Sequence, residues 1–248
     1  TGRTIPGQFA GEMGESATPW FIEASRYRDA NYTHGAFPEY GFQRQRGKAN
    51  PENYQYEAPR LELPQGLTRD QFLGRNALLA TFEAQRRALD TGASVRELDR
   101  HRQSVISMLM DGSVQKAVDV HAADDRLQDR YGRNSFGWSL LMARQLVEAG
   151  VSMVQVNLGN DESWDTHEAA FRNLREFLLP PTDRAVSALI EDLANRSMLD
   201  DVMIIAWGEF GRSPKITNKA GRDHWPQVAM GIMAGGGLKT GQVIGSTD

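Results

Sequence analysis

The sequence has no cysteine in its 248 residues. That excludes a disulfide scaffold, a thiolate nucleophile and any cysteine-ligated zinc or iron–sulfur centre. Nor is there a strong charge of either sign. Lys and Arg number 28 against 32 Asp and Glu, for a formal net charge of −4. Such a balance offers nucleic acid or an anionic membrane surface little electrostatic grip. No apolar stretch approaches the ~20 residues of a membrane span, and no charged-then-apolar leader is present. The first 60 residues contain no Leu and no Val and only two Ile, yet hold ten of the 21 aromatic residues. Without aliphatic periodicity they predict neither a helix nor a central strand. Their aromatics predict an irregular segment pinned onto a neighbouring body, with a short extended stretch through Tyr54, Tyr56, Leu61 and Leu63.

From Thr68 the pattern turns helical. Thr68 and Asp70 mark a helix start, and Phe72, Leu73, Leu78, Leu79, Phe82 and Leu89 follow near helical spacing. Further helices are expected over roughly 94–110, 113–130, 135–149, 167–179 and 182–196. Gly150 sits at the C′ position of the 135–149 helix, and Pro180-Pro181 breaks the last two apart. Apolar runs at 151–156, 202–207 and 228–233, with a fourth at Val243-Ile244, read as strands. Helix, strand, helices, strand, strand predicts an α/β fold with a mostly parallel sheet flanked by helices. Residues 1–66 then form the aromatic-rich segment, 67–134 a helical region and 135–248 the α/β core, all in one domain. The chain opens on Thr1 without Met and stops just after a strand-like run, which predicts a piece of a larger domain.

In open α/β sheets, ligands sit beyond the carboxyl ends of the strands. Three polar clusters fall there. Asn157 to His167 follows the first strand and contains Trp164-Asp165-Thr166-His167. Gly208-Glu209-Phe210-Gly211-Arg212 follows the second, and Gly221-Arg222-Asp223-His224-Trp225-Pro226 precedes the third. Carboxylates with imidazoles suit a divalent transition metal such as zinc or manganese. Such a metal polarises a phosphoryl or sulfuryl oxygen and activates a nucleophile. Arg212 and Arg222 suit an anionic oxygen. Plainer roles exist for the same residues. Asp165 suits an N-cap, His167 a first helical turn facing solvent, and Glu209 a loop staple to Arg212. His34, His101 and His121 have no companion cluster and read as surface or packing residues. Asp124, Asp125 and Asp129 with Arg126 and Arg130 read as a solvated helix face with i,i+4 pairs. Ala234 to Gly237 reads as a turn, because no helix opens after it to cradle a phosphate.

These segments carry a resemblance. Tyr131-Gly132, Phe136-Gly137 and Ala143 to Val151 resemble the domain of unknown function 1501 family, a sulfatase-like family. So do Trp164 to His167, Gly208 to Lys215, Gly221 to Pro226 and Ala234 to Gly245, and at the start Thr1 to Gln8. The resemblance spans essentially the whole chain and is most specific over its last ~120 residues. It implies kinship with the alkaline phosphatase superfamily, whose members hold two divalent metals at a sheet edge and hydrolyse phosphate or sulfate esters. By position it implies Asp165, His167, Glu209 and His224 as metal ligands and Arg212 or Arg222 as the anion holder. The ion would be zinc or manganese, with calcium or magnesium as alternatives, and the substrate a small-molecule or polysaccharide ester. A periplasmic or extracellular place is implied by the family alone.

Two departures stand out. The superfamily usually spaces its first Asp and His by four, whereas here the pair is Asp165-Thr166-His167. Glu209-Phe210 stands where an Asp-His pair is usual, which removes a nitrogen ligand. The nucleophile is expected upstream of Thr1, leaving the α/β unit incomplete and its metal weakly held. A second reading follows, in which a non-catalytic binding or surface-associated module has kept the fold without the chemistry.

Overall fold

The computed structural model describes residues 10–14, 18–22, 24, 56, 65–87, 112–159 and 163–246. His34, His101, Tyr54, Leu61, Leu63 and the helix expected over 94–110 lie outside the described residues. The chain divides into two compact units, Thr1–Glu23 with Ala58–Val118 and Ala24–Glu57 with Asp119–Asp248.

In the first unit, α1 runs over Arg69–Arg87 and α2 over Gly112–Val118. A capping box starts α1: the Gln71 amide donates to Thr68 Oγ1 at 3.2 Å, and the Thr68 amide donates to Gln71 Oε1 at 3.0 Å. Each residue satisfies an amide that the first helical turn leaves without a partner. The start therefore falls on Thr68, with Gln71 as its reciprocal partner. The aromatics Trp20 and Phe21 are about half exposed.

The second unit holds α3 (Asp125–Tyr131), α4 (Ser135–Glu148), α5 (Ala170–Asn173) and α6 (Leu179–Asn195). Its strands are β1 (Met203–Trp207), β2 (Gly211–Ile216), β3 (Arg222–Trp225) and β4 (Gly231–Gly235). Asn134 caps α4 by accepting from the Phe136 and Gly137 amides. At the other end, Gly150 at φ 96° lets the Val151 amide reach Leu146 O at 3.0 Å and its own amide reach Val147 O at 2.9 Å. That pair of bonds is a Schellman closure, which needs a left-handed residue at Gly150. Tyr56 joins this body: its ring packs 5.5 Å from Trp138, and a His121 ring nitrogen lies 2.9 Å from its carbonyl. His121 is thus a packing residue.

Pro180 and Pro181 do not break the helix. They sit in the first turn of α6, where a missing amide proton costs little. A single wide turn, Leu174–Leu178, joins α5 to α6 without interruption. Widening relieves the clash of a proline ring with the carbonyl four residues back, and Thr182 Oγ1 donates to Leu178 O at 2.7 Å. Further along, α6 buries Ala185, Ala188, Leu189, Asp192 and Leu193. That spacing is one helical stripe, and it packs on α3 and α4.

A charge lies inside this stripe. Asp192 accepts from Tyr131 Oη at 3.1 Å and from Arg196 Nε at 2.8 Å, and it pairs with the buried Arg144 at 2.8 Å. Glu148 completes the network by pairing with both Arg144 and Arg196. The acidic–basic run of α3 is divided between cap and tertiary contact. Asp124 caps the helix, Arg130 reaches Glu191 on α6 at 2.6 Å, and Arg133 bridges Asp125 and Asp129.

The described strands pair antiparallel, in two separate ladders. β1 pairs with β4, Met203 opposite Gly235 and Trp207 opposite Gly231. β2 pairs with β3 as a hairpin, Arg212 opposite His224. Parallel neighbours need a crossover, usually helical. The 207–231 connection holds a hairpin instead, so β4 returns antiparallel. Residues 151–156 join no ladder among the described residues, although Val154 and Val156 are half-buried and Gln155 exposed. The strand expected at 228–233 is shifted to Gly231–Gly235, and Val243 and Ile244 are exposed outside any strand. Nor is β1 covered on both faces: Met203, Ile205 and Trp207 are exposed.

Removing one partner of a buried ion pair leaves the other uncompensated, at a cost of about 3–5 kcal/mol. Asp192→Ala is expected to lower unfolding stability by about that amount, with no loss of midpoint in urea as the contrary result. The phenols give a pH signature. Burial pushes Tyr56 up to about 12, with the Ser139 hydrogen bond opposing. Burial, then the Asp192 charge and hydrogen bond, push Tyr131 up further, with Arg144 opposing. An unfolded phenol ionises near ~10, so above that pH the folded chain binds more protons than the unfolded one. The stability from these two groups is complete below ~pH 10 and falls as pH rises beyond it. Of six tyrosines, two should yield tyrosinate absorbance only as helical circular dichroism is lost. Ionisation of all six near pH ~10 with helices intact would contradict this.

Candidate metal centre

Two chain segments about 55 residues apart are sewn together by backbone. The Ala169 amide donates to Lys219 O at 3.0 Å, the Ala170 amide to Ala220 O at 2.8 Å and the Arg222 amide to Thr166 O at 3.1 Å. Ala169 and Ala220 take left-handed conformations, φ 47° and 56°. Such strain persists where surrounding bonds over-determine the backbone. Between them Gly221 lies flat on the other segment: a Cβ there would come within 1.7 Å of His167 O. The Thr217 to Gly221 turn is tied internally, because Thr217 Oγ1 accepts from the Lys219 and Gly221 amides. The loop carrying Asp165 and His167 is thereby held against the strand carrying Asp223 and His224.

Three donor atoms converge as a result. Asp165 Oδ1 lies 3.0 Å from His167 Nε2 and 2.9 Å from His224 Nε2, and the two imidazole nitrogens are 3.2 Å apart. Arg212, opposite His224 on the hairpin, donates to the same Asp165 oxygen. The Phe210 ring lies 4.5 Å from His224 and backs it. Partial burial alone would raise the Asp165 carboxyl. Hydrogen bonds from Arg212 and His224, with the Arg212 and His167 charges, outweigh it and hold the group below the ordinary carboxylate value. Asp165 is therefore an anion at neutral pH.

These atoms fit a cation by chemistry. A carboxylate oxygen and two imidazole nitrogens suit zinc or manganese, and all three lie within 4.8 Å of one another. Neutral imidazoles have too few protons to bridge every edge of this triangle.

Of the ligands expected from sequence, Asp165, His167 and His224 come together and Glu209 does not join them. The Glu209 side chain is 63% exposed against 25% for Asp165, and it reaches Arg212 at 3.6 Å. The staple role describes it better than ligation. Asp165 caps no helix, since α5 starts five residues later at Ala170, with Ala169 in the cap position. Arg212 faces the cluster. Arg222 donates to Ser213 O at 2.7 Å and stacks 5.5 Å over Phe171, so its guanidinium is engaged in holding the hairpin. Sequence reasoning missed Asp223, whose Oδ1 lies 3.0 Å from His167 Nδ1. It also missed the hairpin, for which the Thr217-Asn218-Lys219-Ala220-Gly221 turn chemistry was the available signal.

The family described as protein of unknown function (DUF1501) matches residues 23–248. The chain belongs to that family. No curated protein and no solved structure matches it.

Gly221→Ala tests the crossing point. The added Cβ must displace the His167–Glu168 backbone, with an overpacking cost of about 1–3 kcal/mol. Hydrogen-exchange protection of the Ala169, Ala170 and Arg222 amides should fall while α4 and α6 stay protected. Unchanged protection at all three would refute the close approach.

Proposed function

We propose that this chain holds a divalent cation on Asp165, His167 and His224 and serves the hydrolysis of phosphate or sulfate esters. The carrying observation is the triangle of donor atoms with edges of 2.9–3.2 Å, built from segments far apart in sequence. Zinc or manganese suits the donors. Once bound, such an ion polarises an ester oxygen and eases deprotonation of water. The rest belongs to the chain. Arg212, now on Asp165, stands beside the cluster where the fork of a guanidinium can take two oxygens of a phosphate or sulfate. Glu209, within reach of Arg212, steadies it from outside. The Phe210 ring packs 4.5 Å from that of His224 and limits its movement. We extend the proposal to kinship with the alkaline phosphatase superfamily and to a mostly parallel α/β sheet completed beyond the described strands.

One observation favours a second reading, a binding module without turnover. Glu209-Phe210 stands where the resemblance implies an Asp-His pair, and Glu209 stays outside the cluster. Turnover of any member of a panel of phosphate and sulfate esters would end this second reading.

Elemental analysis after equilibration with zinc or manganese is expected to find about one ion per chain. His224→Ala should reduce uptake at least tenfold at equal free metal. Background metal in both proteins would contradict the proposal.

A further inference from the structure

We infer that Asp223 is the positioning residue of the cation centre: it fixes the proton of His167 on Nδ1 and leaves Nε2 free to ligate. The inference rests on the metal reading above for its consequence, but its geometry stands alone. Asp223 Oδ1 lies 3.0 Å from His167 Nδ1, while His167 Nε2 faces Asp165 and His224. A carboxylate only accepts, so a neutral His167 makes this contact by donating from Nδ1. The opposite tautomer would put the proton on Nε2, toward Asp165. Asp165 is the poorer magnet. Its Oδ1 already receives Arg212 and lies 2.9 Å from His224 Nε2. Among the described residues no Lys or Arg pairs with Asp223, so its negative charge is unshared and draws the proton. A histidine that ligates a metal through one nitrogen almost always gives the other N–H to a carboxylate, carbonyl or water.

The ladder explains why Asp223 can do this. β3 presents Asp223 and His224 as neighbours, and the Arg222 amide bond to Thr166 O anchors the strand one residue earlier. His167 is therefore approached by β3 at both nitrogens, with Asp223 at Nδ1 and His224 beside Nε2. The contact needs no movement of the loop.

The test uses the 248-residue chain, metal-free, roughly two pH units above the ordinary imidazole pKa of about 6.5. Nitrogen-15 spectra of the five imidazoles read the tautomer directly, and His167→Ala assigns the signal. The expected result is a wild-type His167 protonated on Nδ1. Asp223→Ala should shift it toward the Nε2–H form, and Asp223→Asn, whose amide oxygen still accepts, should hold it closer to wild type. Zinc affinity should fall about 10- to 100-fold in Asp223→Ala. A wild-type His167 protonated on Nε2, or a tautomer unchanged by Asp223→Ala, would overturn the inference. The metal reading fails separately: a wild-type chain that takes up no zinc ends it, whereas the metal-free spectra still decide the role of Asp223.

Discussion

The site depends on one constraint, the backbone seam between residues 166–170 and 219–222. Three amide–carbonyl bonds of 2.8–3.1 Å hold it, and Gly221 makes room for it. Neither segment is regular enough to be rigid alone. The loop before α5 has no ladder, and β3 is four residues long. Sewn together, they place an Asp-X-His sequence against an Asp-His sequence with donor atoms about 3 Å apart. Two left-handed alanines at the seam mark where backbone strain is accepted to achieve this.

The electrostatics follow from that placement. One oxygen of Asp165 serves Arg212 and both histidines, and it stays ionised because those partners outweigh the effect of burial. The guanidinium satisfies part of the negative charge of Asp165. In the proposed reading it also stands beside the cation, on the side an anionic ester would approach. Elsewhere the same logic holds α3, α4 and α6 together, with Asp192 inside an apolar stripe and Arg144 against it. In each place a carboxylate partly or wholly withdrawn from water is tolerated because an arginine and other donors surround it.

Much of this was legible from local signals. Thr68, Gly150 and the helical spacing from Ser135 to Glu148 each report local physics, namely capping, left-handed closure and apolar periodicity. Asp165, His167 and His224 were legible as chemistry because their residue types share a use. What failed was longer in range. Pro180-Pro181 looks like a break, but a wide turn absorbs it. The apolar run 202–207 looks doubly buried, yet its odd positions are exposed. The run 151–156 has strand-like alternation without a partner among the described residues, and pairing is a property of two segments. Glu209 follows a strand as a ligand would, but its side chain reaches Arg212 outside the cluster of Asp165, His167 and His224. Asp223 went unread because its significance lies in a nitrogen 56 positions away.

Family membership over residues 23–248 tells where the chain belongs and leaves its chemistry to the site. Zinc-edge X-ray absorption on the chain loaded with one equivalent of zinc tests that chemistry most directly. The account predicts a shell with two imidazole nitrogens and at least one oxygen at about 2.0–2.2 Å, with the imidazole scattering diminished in His224→Ala. A shell of oxygens alone, unaltered by that substitution, would contradict it.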